Sequence, residues 1–241
     1  MATWVSSDWH CEPDKLKAAV VEWIRQGKQG NNRLVGDGDL FEILPLGKKR
    51  WQSSASVRQL ATALDGYPFD YVAGNHDPYP TMRKLFAAYP NIKVRRRMEI
   101  HEGGNRYFVV HGHQWSLDWG FLGLSRIAPS FVEFMVDHAP GLWYWVCNRL
   151  GWLARPAVSG TTAGKERERI NKLIMVIWSG ATKYALRHGC CVIVGHTHTA
   201  GRSERGISAE KGFRSYLVDD GDLGDGTYVE ITDDARLRFL A

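Results

Sequence analysis

Five short stretches hold the side chains able to do chemistry: Ser7-Asp8-Trp9-His10, Gly36-Asp37-Gly38-Asp39-Leu40-Phe41-Glu42, Gly74-Asn75-His76-Asp77, His111-Gly112-His113 and Gly195-His196-Thr197-His198. Six of the nine histidines lie in them, so the imidazoles are concentrated and not scattered. Residues two apart, such as His196 and His198, share one side of an extended chain or converge in the loop beyond it. Carboxylates, imidazoles and one amide, with no thiolate, suit borderline divalent ions such as Mn²⁺, Fe²⁺, Zn²⁺ or Ni²⁺. A set of about seven ligands exceeds one tetrahedral centre and suits two ions with a shared carboxylate. That pairing polarises a phosphoryl group and activates water near neutral pH. The glycine before most ligands would let the backbone turn sharply there.

Such ligands have to be delivered by strand ends. "ATWVSS" (2–7), "RLVGD" (33–37) and "FDYVAG" (69–74) read as strands. Helices are expected over residues 13 to 27, with Pro13 in the first turn, over 57–64, and over 81–89. "IKVRRRMEI" (92–100) and "RYFVVHG" (106–112) read as two strands flanking the turn "EGGN". Residues 118 to 187 carry almost no strand signal, and six of the ten tryptophans fall between Trp115 and Trp178. The tail resumes with "FRSYLV", "TYVEIT" and "RLRFL". Strands interleaved with helices predict an α/β chain whose ligands share one crevice at the carboxyl ends of the strands. The expected plan is a single domain over residues 1–241 with a helical insertion at about 118–187.

Composition narrows the class. With 44% hydrophobic and 24% charged residues, the 241-residue chain is ordinary globular material. A net charge of +5 favours anionic partners: phosphates, nucleic acid or an acidic membrane surface. The basic run Lys93–Arg97 is either a contact for such groups or a solvated strand end. Cys11, Cys147, Cys190 and Cys191 have neither disulfide nor zinc-ribbon spacing, which points to a reducing cytoplasm. The first residues lack a signal-peptide pattern, and no apolar run approaches the roughly 20 residues that span a bilayer. The expectation is a soluble protein, at most peripheral to a membrane. The acidic loop around Asp222 fits no EF-hand spacing.

The ordered set D-x-H, G-D, G-N-H-D, H-G-H and G-H-T-H resembles the calcineurin-like metallophosphoesterases and spans Asp8 to His198. "GDLFE" and the tryptophan-rich insertion look most like the UDP-2,3-diacylglucosamine pyrophosphohydrolase branch. The resemblance implies a sandwich of two mixed sheets flanked by helices, with two divalent ions, Mn²⁺ foremost. It implies that Asp8, His10 and His198 hold the first metal, that Asn75, His111 and His196 hold the second, and that an aspartate of the second motif bridges. Asp39 is preferred over Asp37 because "GDLFE" matches the family string. His76 would be the catalytic acid, oriented by a carboxylate such as Asp77. The branch usually carries arginine at this position, and His76 gives the general phosphoesterase form. His113 is either a partner of the site or a surface residue, whereas His101, His138 and His188 read as structural.

The implied activity is hydrolysis of a phosphoester or pyrophosphate bond, in a lipid-linked UDP-sugar or another phosphorylated small molecule. A nucleotide or nucleic-acid phosphodiesterase is the alternative on the same centre. A scaffold that kept the fold and lost catalysis is the rival from another class, but such a chain would be expected to lose ligands. Every expected ligand position is filled. The insertion is expected to form a lid, with Trp143 and Trp145 receiving an apolar group beside Arg149 and Arg155.

Overall fold

The computed structural model describes residues 1–43, 54–115, 162–203, 217–219 and 226–240, with Met135, His138, Ala139 and Leu142. Its first sheet has the order β11-β10-β1-β2-β3-β4. Here β1 is Thr3–Ser6, β2 Arg33–Asp37, β3 Phe69–Val72, β4 Ile92–Arg95, β10 Thr227–Ile231 and β11 Ala235–Phe239. Strands β1 to β4 run parallel, and β10 and β11 add antiparallel strands. The second sheet has the order β5-β6-β7-β9-β8. Its strands are β5 Met98–Glu102, β6 Asn105–Val109, β7 Cys191–Val194, β8 Gly201–Ser203 and β9 Leu217–Asp219.

The alternation of side chains along each strand divides the apolar residues into layers. Val5, Val35, Val72, Tyr107, Val109, Ile193 and Val229 point between the sheets and form one buried cluster. The intervening residues face helices. Trp4, Leu34, Phe69 and Tyr71 pack with Trp23 and Ile24 of α1 (Ala18–Gln29), Val57 and Leu60 of α2 (Ala55–Leu64), and Met82 of α3 (Tyr79–Leu85). On the other side, Phe108, Val192 and Val194 pack with Ile177, Ala181 and Ala185 of α4 (Thr162–His188). Each large side chain so buried contributes about 1.5–3 kcal/mol. The architecture is therefore the expected sandwich of two mixed sheets flanked by helices.

Two local readings are corrected. Helix α1 starts at Ala18, not Pro13. The Pro13 carbonyl accepts hydrogen bonds from Ser54 Oγ and the Ser56 N–H, and the Leu16 N–H donates to Gln59. The backbone groups a first helical turn would use are thus committed to the segment around the start of α2. The run 92–100 is two strands, because the chain leaves the first sheet after Arg95 and enters the second at Met98. The strand expected over 213–218 is described only from Leu217, as β9. Of the expected insertion, α4 is described, whereas Trp143, Trp145, Arg149 and Arg155 lie outside the described residues. Among the described residues, no helix is long and apolar enough to cross a membrane.

Candidate metal centre

The five motifs leave the carboxyl ends of β1, β2, β3, β6 and β7. In the first sheet Ser6 is level with Gly36 and Asp37 with Val72, so three exits lie side by side. In the second, Val109 is level with Ile193. The exits turn through an unusual device. Among the described residues, seven non-glycine residues have positive φ, and five are Asp8 (54°), His10 (43°), Asp39 (50°), His196 (69°) and His198 (52°). Left-handed backbone is disfavoured for L-residues and collects where function demands it.

Gly38, before Asp39, turns as the sequence suggested, at φ 85°, whereas Gly74 and Gly195 do less turning and more yielding of space. A Cβ on Gly74 would lie 2.1 Å from Asp39 Oδ1, and one on Gly195 would lie 2.3 Å from Ser7 Oγ and 2.8 Å from Asp8 Oδ2. Neither takes positive φ. The ligands themselves make the turns, and these glycines let two chain segments meet.

The side chains gather into three groups: Asp8 with His10 and His198, Asp39 with His111 and His196, and a third that shares His10, with Glu42 and His76. In the first, His10 Nε2 lies 3.3 Å from His198 Nε2, and the two stand 3.6 Å and 3.5 Å from Asp8 Oδ1. In the second, His111 Nε2 lies 3.1 Å from Asp39 Oδ2. Ligands on one ion at bond lengths near 2.1 Å stand about 3.0–3.6 Å apart. Asp8 Oδ1 and Asn75 Oδ1 are also buried without a hydrogen-bond partner, a costly state unless another group binds them. The residues present fit a pair of divalent cations.

A second layer aims these donors. Asp8 Oδ2 accepts from Ser7 Oγ and from the His196 N–H at 2.8 Å, which leaves Oδ1 for the centre. His111 Nδ1 is held by the Asp37 carbonyl at 2.8 Å, so Nε2 points inward. Asp37 enters none of the groups with metal-ligand spacing, and it serves His111 through its backbone.

The partner of His76 is Glu42, not Asp77. Glu42 Oε2 lies 2.8 Å from His76 Nδ1, while Oε1 engages His10 Nδ1. Glu42 could have been noticed as the last residue of "GDLFE". Nothing in the sequence showed that one carboxylate would serve two imidazoles from different loops. Asp77 instead accepts from the backbone N–H groups of Asp39, Phe41 and Gly74 and from the Tyr71 hydroxyl, tying the second motif to the third.

Electrostatics follow from this crowding. Burial alone would raise the Asp39 carboxyl, but His111 and His76 hold it well below the usual range. Burial opposes charge on His10, yet Asp8 and Glu42 carry its pKa up to about 10. His196, buried and close to His111, falls to about 3. Asp77 rises to about 7, through burial and the nearby Asp39 charge. His113 is buried, its ring 5.7 Å from that of His111, so it is a neighbour of the centre and not a surface residue. His101 and His188 join no such group among the described residues.

Residues 1–200 match the sequence profile of the family described as calcineurin-like phosphoesterase. No curated protein matches significantly. Solved structures with a similar fold include a dimetal phosphatase from Danio rerio, at 11% identity and TM-score 0.53, covering 100% of this chain and 96% of that one. A novel archaeal phosphodiesterase is 13% identical with TM-score 0.48, and coverage is 100% of both chains. A zinc complex of Vps29 from Entamoeba histolytica is 14% identical with TM-score 0.42, again with 100% coverage of both.

Proposed function

Because the chain belongs to the calcineurin-like phosphoesterase family, we propose that its strand-end cluster holds two divalent cations and hydrolyses phosphoester or pyrophosphate bonds. The protein is a metal-dependent phosphoesterase, and the observation that supports the two-ion reading is that the Asp8–His10–His198 and Asp39–His111–His196 groups, each at metal-ligand spacing, share no residue. In this reading Asp8, His10 and His198 would hold one ion, Asn75, His111 and His196 would hold the other, and Asp39 would be shared between them. Ions so bound polarise phosphoryl oxygens and lower the pKa of water. Mn²⁺ is the first choice, with Fe²⁺, Zn²⁺ or Ni²⁺ compatible with the donors.

His76 is the general acid of this reading. With Nδ1 held by Glu42 and the side chain 30% exposed, the His76 ring is fixed in one orientation from which Nε2 would give a proton to a departing oxygen. Asn75, whose Oδ1 is buried without a partner, would help hold the second ion, and the Asp8 and Asp39 carboxylates are kept charged by the surrounding histidines. A lipid-linked UDP-sugar pyrophosphate is the first substrate reading, supported by "GDLFE" and the tryptophan-rich stretch. A nucleotide phosphodiester is the second, favoured by His76 where the diacylglucosamine branch carries arginine. Contact with a membrane periphery belongs to the first reading.

The deciding experiment strips the protein of metal, restores Mn²⁺ and follows bis-p-nitrophenyl phosphate. Two bound ions and metal-dependent turnover are expected. Neither metal uptake nor turnover under Mn²⁺, Zn²⁺ or Ni²⁺ would overturn the reading in favour of a non-catalytic scaffold. A screen of lipid-linked, nucleotide and sugar pyrophosphates then separates the substrates.

A further inference from the structure

Tyr71 belongs to none of the five motifs, yet its hydroxyl lies at the joint between two of them. The residue sits inside β3, level with Gly36 of β2, and is fully buried. Its ring stacks on Phe69 with centroids 6.5 Å apart, and a Cβ on Gly36 would lie 3.0 Å from it. The apolar layer between the first sheet and its helices therefore grips the ring and fixes where the hydroxyl stands. That hydroxyl donates to Asp77 Oδ2 and accepts from the Leu40 N–H at 3.4 Å.

Asp77 passes this anchor on to the ligands. Its Oδ1 accepts from the Gly74 N–H at 2.9 Å and the Asp39 N–H at 3.2 Å, and its Oδ2 accepts from the Phe41 N–H at 3.1 Å. The tie is returned in the other direction, because the His76 N–H donates to Asp39 Oδ1 at 2.8 Å. The loop that carries Asp39 and the loop that carries Asn75 and His76 are thus held as one body. Asp77 enters none of the groups with metal-ligand spacing, so its carboxylate acts on the centre through the backbone it collects.

We propose that Tyr71 and Asp77 are positioning residues, which set the place of Asp39 relative to Asn75 and, with it, the separation of the two ions. This rests on the two-ion phosphoesterase reading and deepens it by giving a hydroxyl of the apolar core control over the geometry of the centre. A reacting constellation has to be held within about 0.5 Å by neighbours whose own side chains are locked by packing. A ring clasped between Phe69 and β2 meets that demand.

The test is Tyr71→Phe, which removes one oxygen and leaves the ring in place. With Mn²⁺ saturating, the variant should bind two ions per chain, as the parent does. The magnetic coupling between those ions, read by electron paramagnetic resonance, should change, because it follows the geometry of the shared carboxylate. On bis-p-nitrophenyl phosphate, kcat should fall about 10–100-fold with KM unchanged. Asp77→Asn, which replaces one acceptor oxygen by an amide nitrogen, should move both readouts at least as far. Tyr67→Phe is the control: its hydroxyl donates to the Asn32 carbonyl at 2.8 Å, at the amino end of β2. Its loss should lower the melting temperature and leave coupling and kcat as in the parent. Parent-like coupling and kcat in both Tyr71→Phe and Asp77→Asn, or changes that Tyr67→Phe reproduces, overturn the positioning role. A parent protein that binds no pair of Mn²⁺ ions would instead sink the two-ion reading, so the two failures are distinguishable.

Discussion

Glu42 joins two functions that the motif strings keep apart, because its two oxygens reach His10 and His76. Removing a carboxylate behind a ligating histidine typically costs 10–100-fold in metal affinity. Glu42→Gln is therefore expected to lose the ion held by His10 upon dialysis, read by metal-to-protein ratio, and to lower turnover. His76→Ala should keep both ions and lose about 10²–10⁴-fold in kcat. Its loss should shrink for p-nitrophenyl leaving groups, which need no proton; metal loss in step with activity would refute the acid role. Asp39→Ala should be metal-poor while Asp37→Ala keeps most of its metal, since the Asp37 backbone carbonyl that holds His111 survives the substitution. A metal-poor Asp37→Ala with a loaded Asp39→Ala would reverse the assignment. Ligand types were legible in the sequence because imidazole and carboxylate pairs at strand ends have few other uses. The role of Asp77 was not, since a carboxylate that collects three backbone N–H groups looks the same in sequence as one that holds a histidine.

Strand ends and the turns after them decide whether the ligands meet. Gly195 closes β7 against the loop after β1, and an added Cβ would press on Ser7 and Asp8. Gly195→Ala should displace the Asp8 carboxylate and weaken metal binding, while overpacking costs about 1–3 kcal/mol in stability. Metal titration and a melt read the two effects separately; unchanged metal affinity would mean that the loop can shift without the ligand. The strands were readable from their branched apolar runs, and β1, β2 and β3 fall where expected. What escaped was set by partners far along the chain. The start of α1 depends on Ser54, Ser56 and Gln59, and the break of the run 92–100 depends on which sheet each half joins. No local pattern records either.

At the scale of the whole molecule, the two groups assigned to the ions draw on both sheets: Asp8 and His10 follow β1 while His198 follows β7, and Asp39 follows β2 while His111 follows β6. Bound ions should therefore clamp the sandwich. At a free ion concentration 100 times Kd, one site is worth about 2.7 kcal/mol of added stability. Mn²⁺ should raise the melting temperature and a chelator should return it, by an amount that falls in Asp39→Ala. A melting temperature indifferent to metal would separate the ligand groups from the fold. The left-handed backbone at five of the candidate ligands has an evolutionary corollary. Each such residue costs on the order of 1 kcal/mol that glycine would not. A lineage released from catalysis would profit from every mutation to glycine at these positions, and its ligands would erode along the steepest stability gradient available. At Asp8, His10, Asp39, His196 and His198 the chain instead carries a side chain able to bind a cation, which glycine could not supply.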